Sequence, residues 1–202
     1  MGSPDRNADT QIFNAFTSFL LGSSDSAVGA FQHNLSNWGS RWKPVEPSHG
    51  VASDHLASTI DSTFADAIPV VTQFVAHRAS RQWEQTYSAT DGVVGDDMLA
   101  SYGFAEIVGP RGPFVSTNIR GGIGLYGPNM TYPLHRHGPD EVYVVVSGTA
   151  RFTVDGAVSS RGPGDVVHVP SLTEHGFTTN GAPLVVLYLW QNGSLRETST
   201  FE

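Results

Sequence analysis

The pattern of apolar and polar positions changes near residue 100. From Ile12 to about Trp42 the apolar residues Ile12, Phe13, Phe16, Phe19, Leu20, Phe31, Leu35, Trp38 and Trp42 fall at helical spacings. Gly22-Ser23-Ser24 divides this stretch into two predicted helices, and the Pro/Gly-rich run Lys43 to Gly50 links them to the next. A further helix is predicted from Ser53 to about Ile68. Another is predicted from Pro69 to Tyr87, with Pro69 in its first turn, where a missing N–H is tolerated.

Beyond about residue 95 short apolar runs alternate with Gly, Pro and Asn. They predict strands at Ala105–Val108, Ile119–Tyr126, Thr131–Arg136, Glu141–Ser147, Ala150–Val154, Asp165–Val169 and Val185–Gln191. Asp155-Gly156 between apolar flanks signals a hairpin turn. Close strand spacing with turn chemistry predicts a small antiparallel barrel or jelly roll. The expected organisation is therefore mainly β: a helical region over residues 1–95, then a β-barrel over 96–202. The helices either cover the barrel mouth as a lid or make a homodimer contact.

Composition narrows the function classes. The chain has 202 residues with 22 Gly, 12 Pro and only 15% charged residues, which suits a turn-rich β protein. Its formal net charge is −8, Lys43 is the sole lysine and the arginines are scattered, which argues against nucleic acid as a partner. Without cysteine there is no disulfide, thiolate metal site or thiol nucleophile. The first long apolar run, Ile12 to Leu21, is too short and too interrupted to span a bilayer, and it lacks the basic lead-in of a secretory signal. A cytoplasmic protein with no membrane partner is expected.

Candidate chemistry concentrates in Tyr132–Gly148, "YPLHRHGPDEVYVVVSG". Alternate side chains of a strand share a face, so His135 and His137 point one way, as do Glu141 and Tyr143. His175, in "GDVVHVPSLTEHGF", can complete a set of three imidazoles and one carboxylate. Such ligands suit a divalent transition metal, whether zinc, iron, manganese, cobalt or nickel. Asp140 falls on the face opposite Glu141. His168 is a weaker candidate for supporting a ligand.

"HRHGPDEVYVVVSG" and "PGDVVHVPSLTEHGF" resemble the two motifs of the cupin superfamily over about residues 120–190. The leading glycine of the first motif is replaced by Asn129, and the asparagine that often follows the last histidine stands one place late, at Asn180. The resemblance implies His137, Glu141 and His175 as ligands, with His135 as a fourth ligand or just outside the coordination sphere. Tyr132, Tyr143 and the flanking "YGFAEIVGPRGPF" and "PLVVLYLWQNGSLR" make the chain similar to the cupin-type dimethylsulfoniopropionate lyases, the DddL and DddQ group. The flanks and chain length put the DddL-like branch nearer. Over about residues 80–200 this resemblance implies cleavage of dimethylsulfoniopropionate to dimethyl sulfide and acrylate.

That reaction is a β-elimination. A metal on the substrate carboxylate offsets charge developing at the adjacent carbon. A phenol, with an ordinary pKa near 10, becomes a usable base when a cation favours its phenolate. Tyr143 is the expected base, and Tyr132 a donor to substrate or the alternative base. The sulfonium end calls for aromatic faces. Tyr188 and Trp190 alternate onto one face of the last long strand, and Trp83 and Tyr87 are i, i+4 on a predicted helix. Two other readings share the motif: an iron-dependent cupin dioxygenase, and a cupin that only binds a small ligand.

Overall fold

In a computed structural model, residues 3–35, 38 and 41–201 are described. Ten strands carry the fold: β1 (Tyr102–Val108), β2 (Ile119–Tyr126), β3 (Thr131–Arg136), β4 (Asp140–Ser147), β5 (Ala150–Val154), β6 (Ala157–Arg161), β7 (Val166–Val169), β8 (His175–Thr179), β9 (Leu184–Gln191) and β10 (Thr200–Phe201). They form two antiparallel sheets, ordered β1-β2-β9-β4-β7 and β10-β3-β8-β5-β6. From β2 to β9 the chain passes repeatedly between the sheets, which is the connectivity of a jelly roll. The mainly β expectation, with helices preceding the barrel, is met.

Two predicted turns explain why the barrel closes as it does. Asp155 and Gly156 both have positive φ, 49° and 72°, and join β5 to β6 in a two-residue hairpin. Asn129 has φ 57°, so the position where a glycine was expected keeps the left-handed backbone with a residue that tolerates it. At Gly148, φ is 77° and an added Cβ would meet the Pro183 carbonyl oxygen at 2.1 Å, so no other residue fits that corner.

Among the described residues, five α-helices, α1 (Arg6–Gly22), α2 (Ser26–Gly29), α3 (Gln32–Leu35), α4 (Ile68–Ala76) and α5 (Asp96–Leu99), lie before the barrel. Helix α1 starts where Asp5 accepts hydrogen bonds from the Asn7 and Ala8 N–H groups, and it ends at Gly22 as its sequence predicts. The second predicted helix is instead two short ones, and residues 36, 37, 39 and 40 of it lie outside the described residues.

The helix expected from Ser53 is a 3₁₀ helix, Val51–Ser62. Its hydroxyls explain the tighter winding. Ser53, Ser58, Thr59 and Ser62 each donate to the carbonyl three residues back, competing with the α-helical pattern. Helix α4 has Pro69 in its first turn as expected but stops at Ala76 rather than Tyr87. Beyond it, Trp83 N–H donates to Ser48, and Glu84 and Phe104 exchange backbone bonds of 2.9 and 3.0 Å. This long-range pairing outweighs local helix preference and holds residues 82–84 extended.

The first sheet separates two cores. Its outer face carries Ile123, Val142, Val144, Leu187 and Leu189 against Phe16, Leu20, Leu56 and Phe74 of the helical region. Its inner face carries Tyr143, Val145, Tyr188 and Trp190 against Phe152 and Phe177 of the second sheet. Fully burying each such side chain stabilises the fold by about 1.5–3 kcal/mol.

Candidate metal centre and its cavity

Three elements deliver the histidines. His135 lies near the end of β3, His137 in the loop that follows, and His175 opens β8, directly paired with His135. β4 supplies Glu141, whose register partner on β9 is Trp190. All four are buried, none more than 2% exposed. The ligand nitrogens of His135, His137 and His175 lie within 4.8 Å of one another. Glu141 Oε2 is 3.0 Å from His137 Nε2 and 3.4 Å from His175 Nε2.

The surrounding backbone fixes the rings. Nδ1 of His135 lies 2.8 Å from the Pro133 carbonyl, Nδ1 of His137 3.0 Å from that of Pro139, and Nδ1 of His175 2.9 Å from that of Thr173. A carbonyl only accepts, so each Nδ1 donates, and each neutral ring turns an Nε2 lone pair inward. His175 Nε2 is buried without a hydrogen-bond partner in the protein. An orphaned imidazole nitrogen among two others and a carboxylate suits a divalent cation.

Electrostatics agree. Burial, reinforced by the neighbouring His175, pushes His135 down to about 3, so it is held neutral. Burial also opposes protonation of His137, but its bond to Glu141 outweighs this and raises it. Burial alone would raise Glu141. The His137 and His175 Nε2 atoms, 3.0 and 3.4 Å from its Oε2, instead hold its carboxyl well below the usual range.

Beside this cluster lies a cavity of about 60 Å³, lined by Tyr87, Arg120, Tyr126, Tyr132, Glu141, Tyr143, Tyr188, Trp190 and Glu197 among others. It has room for a small molecule, since one water needs roughly 10–15 Å³ on the same scale. Tyr143 follows Glu141 on the inner face of β4. Burial and the adjacent Glu141 carboxylate push its phenol well above 10. Tyr132 stacks on His135 at 4.2 Å and its hydroxyl is 3.2 Å from that of Tyr87. Strict alternation would put Tyr132 and His135 on opposite faces; a register irregularity between them turns both inward.

The structure brings most of the expected residues together, with clear exceptions. Trp83 is not on a helix and does not line this cavity. Its indole N–H donates to the Arg78 carbonyl, and its ring packs in the outer core. Tyr87 does line the cavity, from a segment outside any helix or strand. His168 is exposed, on the far face of β7. Asp140 faces away and bonds the Ser171 N–H and Asn192. Residues of α1–α4 do not line the cavity; its rim comes from Thr86–Tyr87 and Glu197–Ser199.

Sequence reasoning missed Arg120 and Glu197. Arg120 Nε is 2.8 Å from Glu106 Oε2, and its guanidinium lies over Trp190, Phe104 and Tyr188 at 4.9, 5.3 and 5.8 Å. A single arginine alternating with glycines in "IRGGIGLY" was its only signal. Glu197, in a loop near the C-terminus, had none.

Comparison with known proteins points one way. Residues 40–186 match the family model described as dimethylsulfoniopropionate lyase. Dimethylsulfoniopropionate lyase DddQ of Ruegeria pomeroyi is 29% identical over 150 residues, spanning 74% of each chain. Putative dimethylsulfoniopropionate lyase DddL of Cereibacter sphaeroides is 31% identical over 145 residues, 70% of this chain and 60% of that one. A chain from the crystal structures of the DMSP lyases RdDddP and RnDddQII superposes with a TM-score of 0.84 at 28% identity, covering 98% of both. Among the described residues, no helix is long and apolar enough to cross a membrane.

Proposed function

Because the chain belongs to the dimethylsulfoniopropionate lyase family, we propose that it cleaves dimethylsulfoniopropionate to dimethyl sulfide and acrylate at the cavity beside Glu141. The observation that carries this reading is one strand face. Glu141 and Tyr143, two residues apart on β4, set a buried three-histidine, one-carboxylate cluster beside a cavity-lining phenol.

His135, His137, Glu141 and His175 would hold the metal, with neutral imidazoles presented by their carbonyl-bonded Nδ1 atoms. A divalent ion there would supply positive charge to offset the substrate carboxylate and favour the phenolate form of Tyr143. Tyr143 removes a proton from the carbon next to the carboxylate. The C–H electron pair becomes the new carbon–carbon double bond, the carbon–sulfur bond breaks, and sulfur leaves with the former carbon–sulfur pair as neutral dimethyl sulfide. Tyr132, whose hydroxyl is 3.2 Å from that of Tyr87, donates a hydrogen bond to the substrate, and Tyr143 gives the abstracted proton to water as the products leave. Tyr87, Tyr188 and Trp190 wall the substrate, and the buried Trp190 N–H, unpartnered within the protein, is a donor for it.

Purified metal-loaded protein given dimethylsulfoniopropionate without oxygen should release dimethyl sulfide into the headspace and leave one acrylate per turnover. Activity that disappears under anaerobic conditions would point to the dioxygenase reading. A homodimer and a cytoplasmic location belong to the same proposal, and sedimentation and cell fractionation test them.

A further inference from the structure

The substrate proposed above is a zwitterion, and its two ends need different pockets. A sulfonium has no hydrogen-bond donor, so only charge and polarisable surface can recognise it. The aromatic wall of Phe104, Tyr188 and Trp190 looks suitable but already holds a cation. The Arg120 guanidinium lies within 6 Å of all three rings and is itself paired with Glu106. A second cation on that wall would meet its repulsion.

The lining near the C-terminus has the reverse character. Among the described residues, the acidic groups lining the cavity are Glu141 and Glu197, and Glu141 sits in the histidine cluster. Glu197 is half-buried, and one of its oxygens accepts the Gly138 N–H. Two anchors hold its segment over the cavity. One is that bond, next to His137. The other is β10, where Phe201 pairs with His135 and packs its ring 5.2 Å from that of Tyr87. Tyr87, whose ring lines the same rim, adds an aromatic face beside the carboxylate.

We propose that Glu197, carried over the cavity by the C-terminal strap, recognises the sulfonium end of the substrate and makes the site prefer a cation. The inference rests on the lyase reading and assigns the pole that reading leaves open. It also sets the substrate's direction, carboxylate toward Glu141 and sulfonium toward the strap.

Glu197→Gln removes the charge and keeps an oxygen to accept the Gly138 N–H, so the strap stays anchored. With metal content matched, KM for dimethylsulfoniopropionate should rise about tenfold, as expected for one lost charge-assisted contact, while kcat changes little. 3-(Methylthio)propionate carries the same carboxylate and a neutral thioether, and its inhibition constant should stay as in the unmodified protein. Glu197→Asp should recover part of the KM. An unchanged KM in the active Glu197→Gln protein would overturn the assignment and leave Glu197 as a loop cap. So would a parallel loss of affinity for the thioether, which would mean a deformed cavity. If the unmodified protein releases no dimethyl sulfide, the lyase reading fails first, a distinct outcome.

Discussion

The two faces of the sheet β1-β2-β9-β4-β7 are equally dry and chemically opposite. On β4, Val142, Val144 and Val146 face the helices, while Glu141, Tyr143 and Val145 face the barrel. On β9, Val185, Leu187 and Leu189 face out, while Val186, Tyr188 and Trp190 face in. Apart from Asp140, His168 and Gln191 at its strand ends and edge, the outer face has methyl and methylene groups that need nothing but contact. The inner face has hydroxyl, indole, guanidinium and carboxylate groups whose burial is costly unless each finds a partner. The outer face stabilises the sheet, and the inner face spends part of that stability on holding ionisable groups out of water.

If that division is right, substitutions on the two faces separate activity from stability. The largest effect is expected from His137→Ala, Glu141→Ala and His175→Ala. Each should abolish bound metal by elemental analysis and nearly all turnover; full occupancy in all three would remove the ligand assignment. Next comes the outer face. Leu187→Ala should cost about 2–5 kcal/mol of stability by denaturant unfolding, with turnover per folded molecule unchanged. A large loss of turnover there would break the division, because Leu187 touches no cavity residue's chemistry except through the sheet.

The smallest effect concerns acid. In metal-free protein His135 is held near 3, far below its ordinary value of about 6.5. The unfolded chain therefore binds a proton that the folded chain does not, and stability falls as pH drops from about 6.5 toward 3. The raised His137 works the other way, but its contribution is already complete below about 6.5. Chelated protein should thus melt at progressively lower temperature between pH 6.5 and 4.5, and His135→Phe should flatten that slope. A melting temperature that is level across this range in the unmodified protein would contradict the neutral, buried His135.

Much of the inner face was legible in the sequence because its chemistry is local. His135, His137, Glu141 and Tyr143 lie on or beside one turn and two strands, and strand alternation sorts them. β2, β3 and β5 were bounded by Gly, Pro and Asn, so their limits were clear. β6 and β8 were missed for physical reasons. β6 is a half-exposed edge strand of sequence "AVSSR", and β8 begins "HG", so neither shows a clear apolar alternation. Trp83 was misassigned to a helix because its backbone partner, Ser48, is distant in sequence. Arg120 reaches the cavity only through the pairing of β2 with β9, and Glu197 only through the strap's return to β3, so neither could be placed without the fold.

Tyr143 is proposed as the base, and a cation in the cluster would offset the burial and the Glu141 charge that otherwise hold its phenol up. The most direct test is the rate of dimethyl sulfide release by Tyr143→Phe at metal content equal to the unmodified protein. Loss of a positioned general base should slow turnover by about 10²–10⁴-fold with the cluster still loaded. A fully loaded Tyr143→Phe protein releasing dimethyl sulfide at close to the normal rate would contradict it.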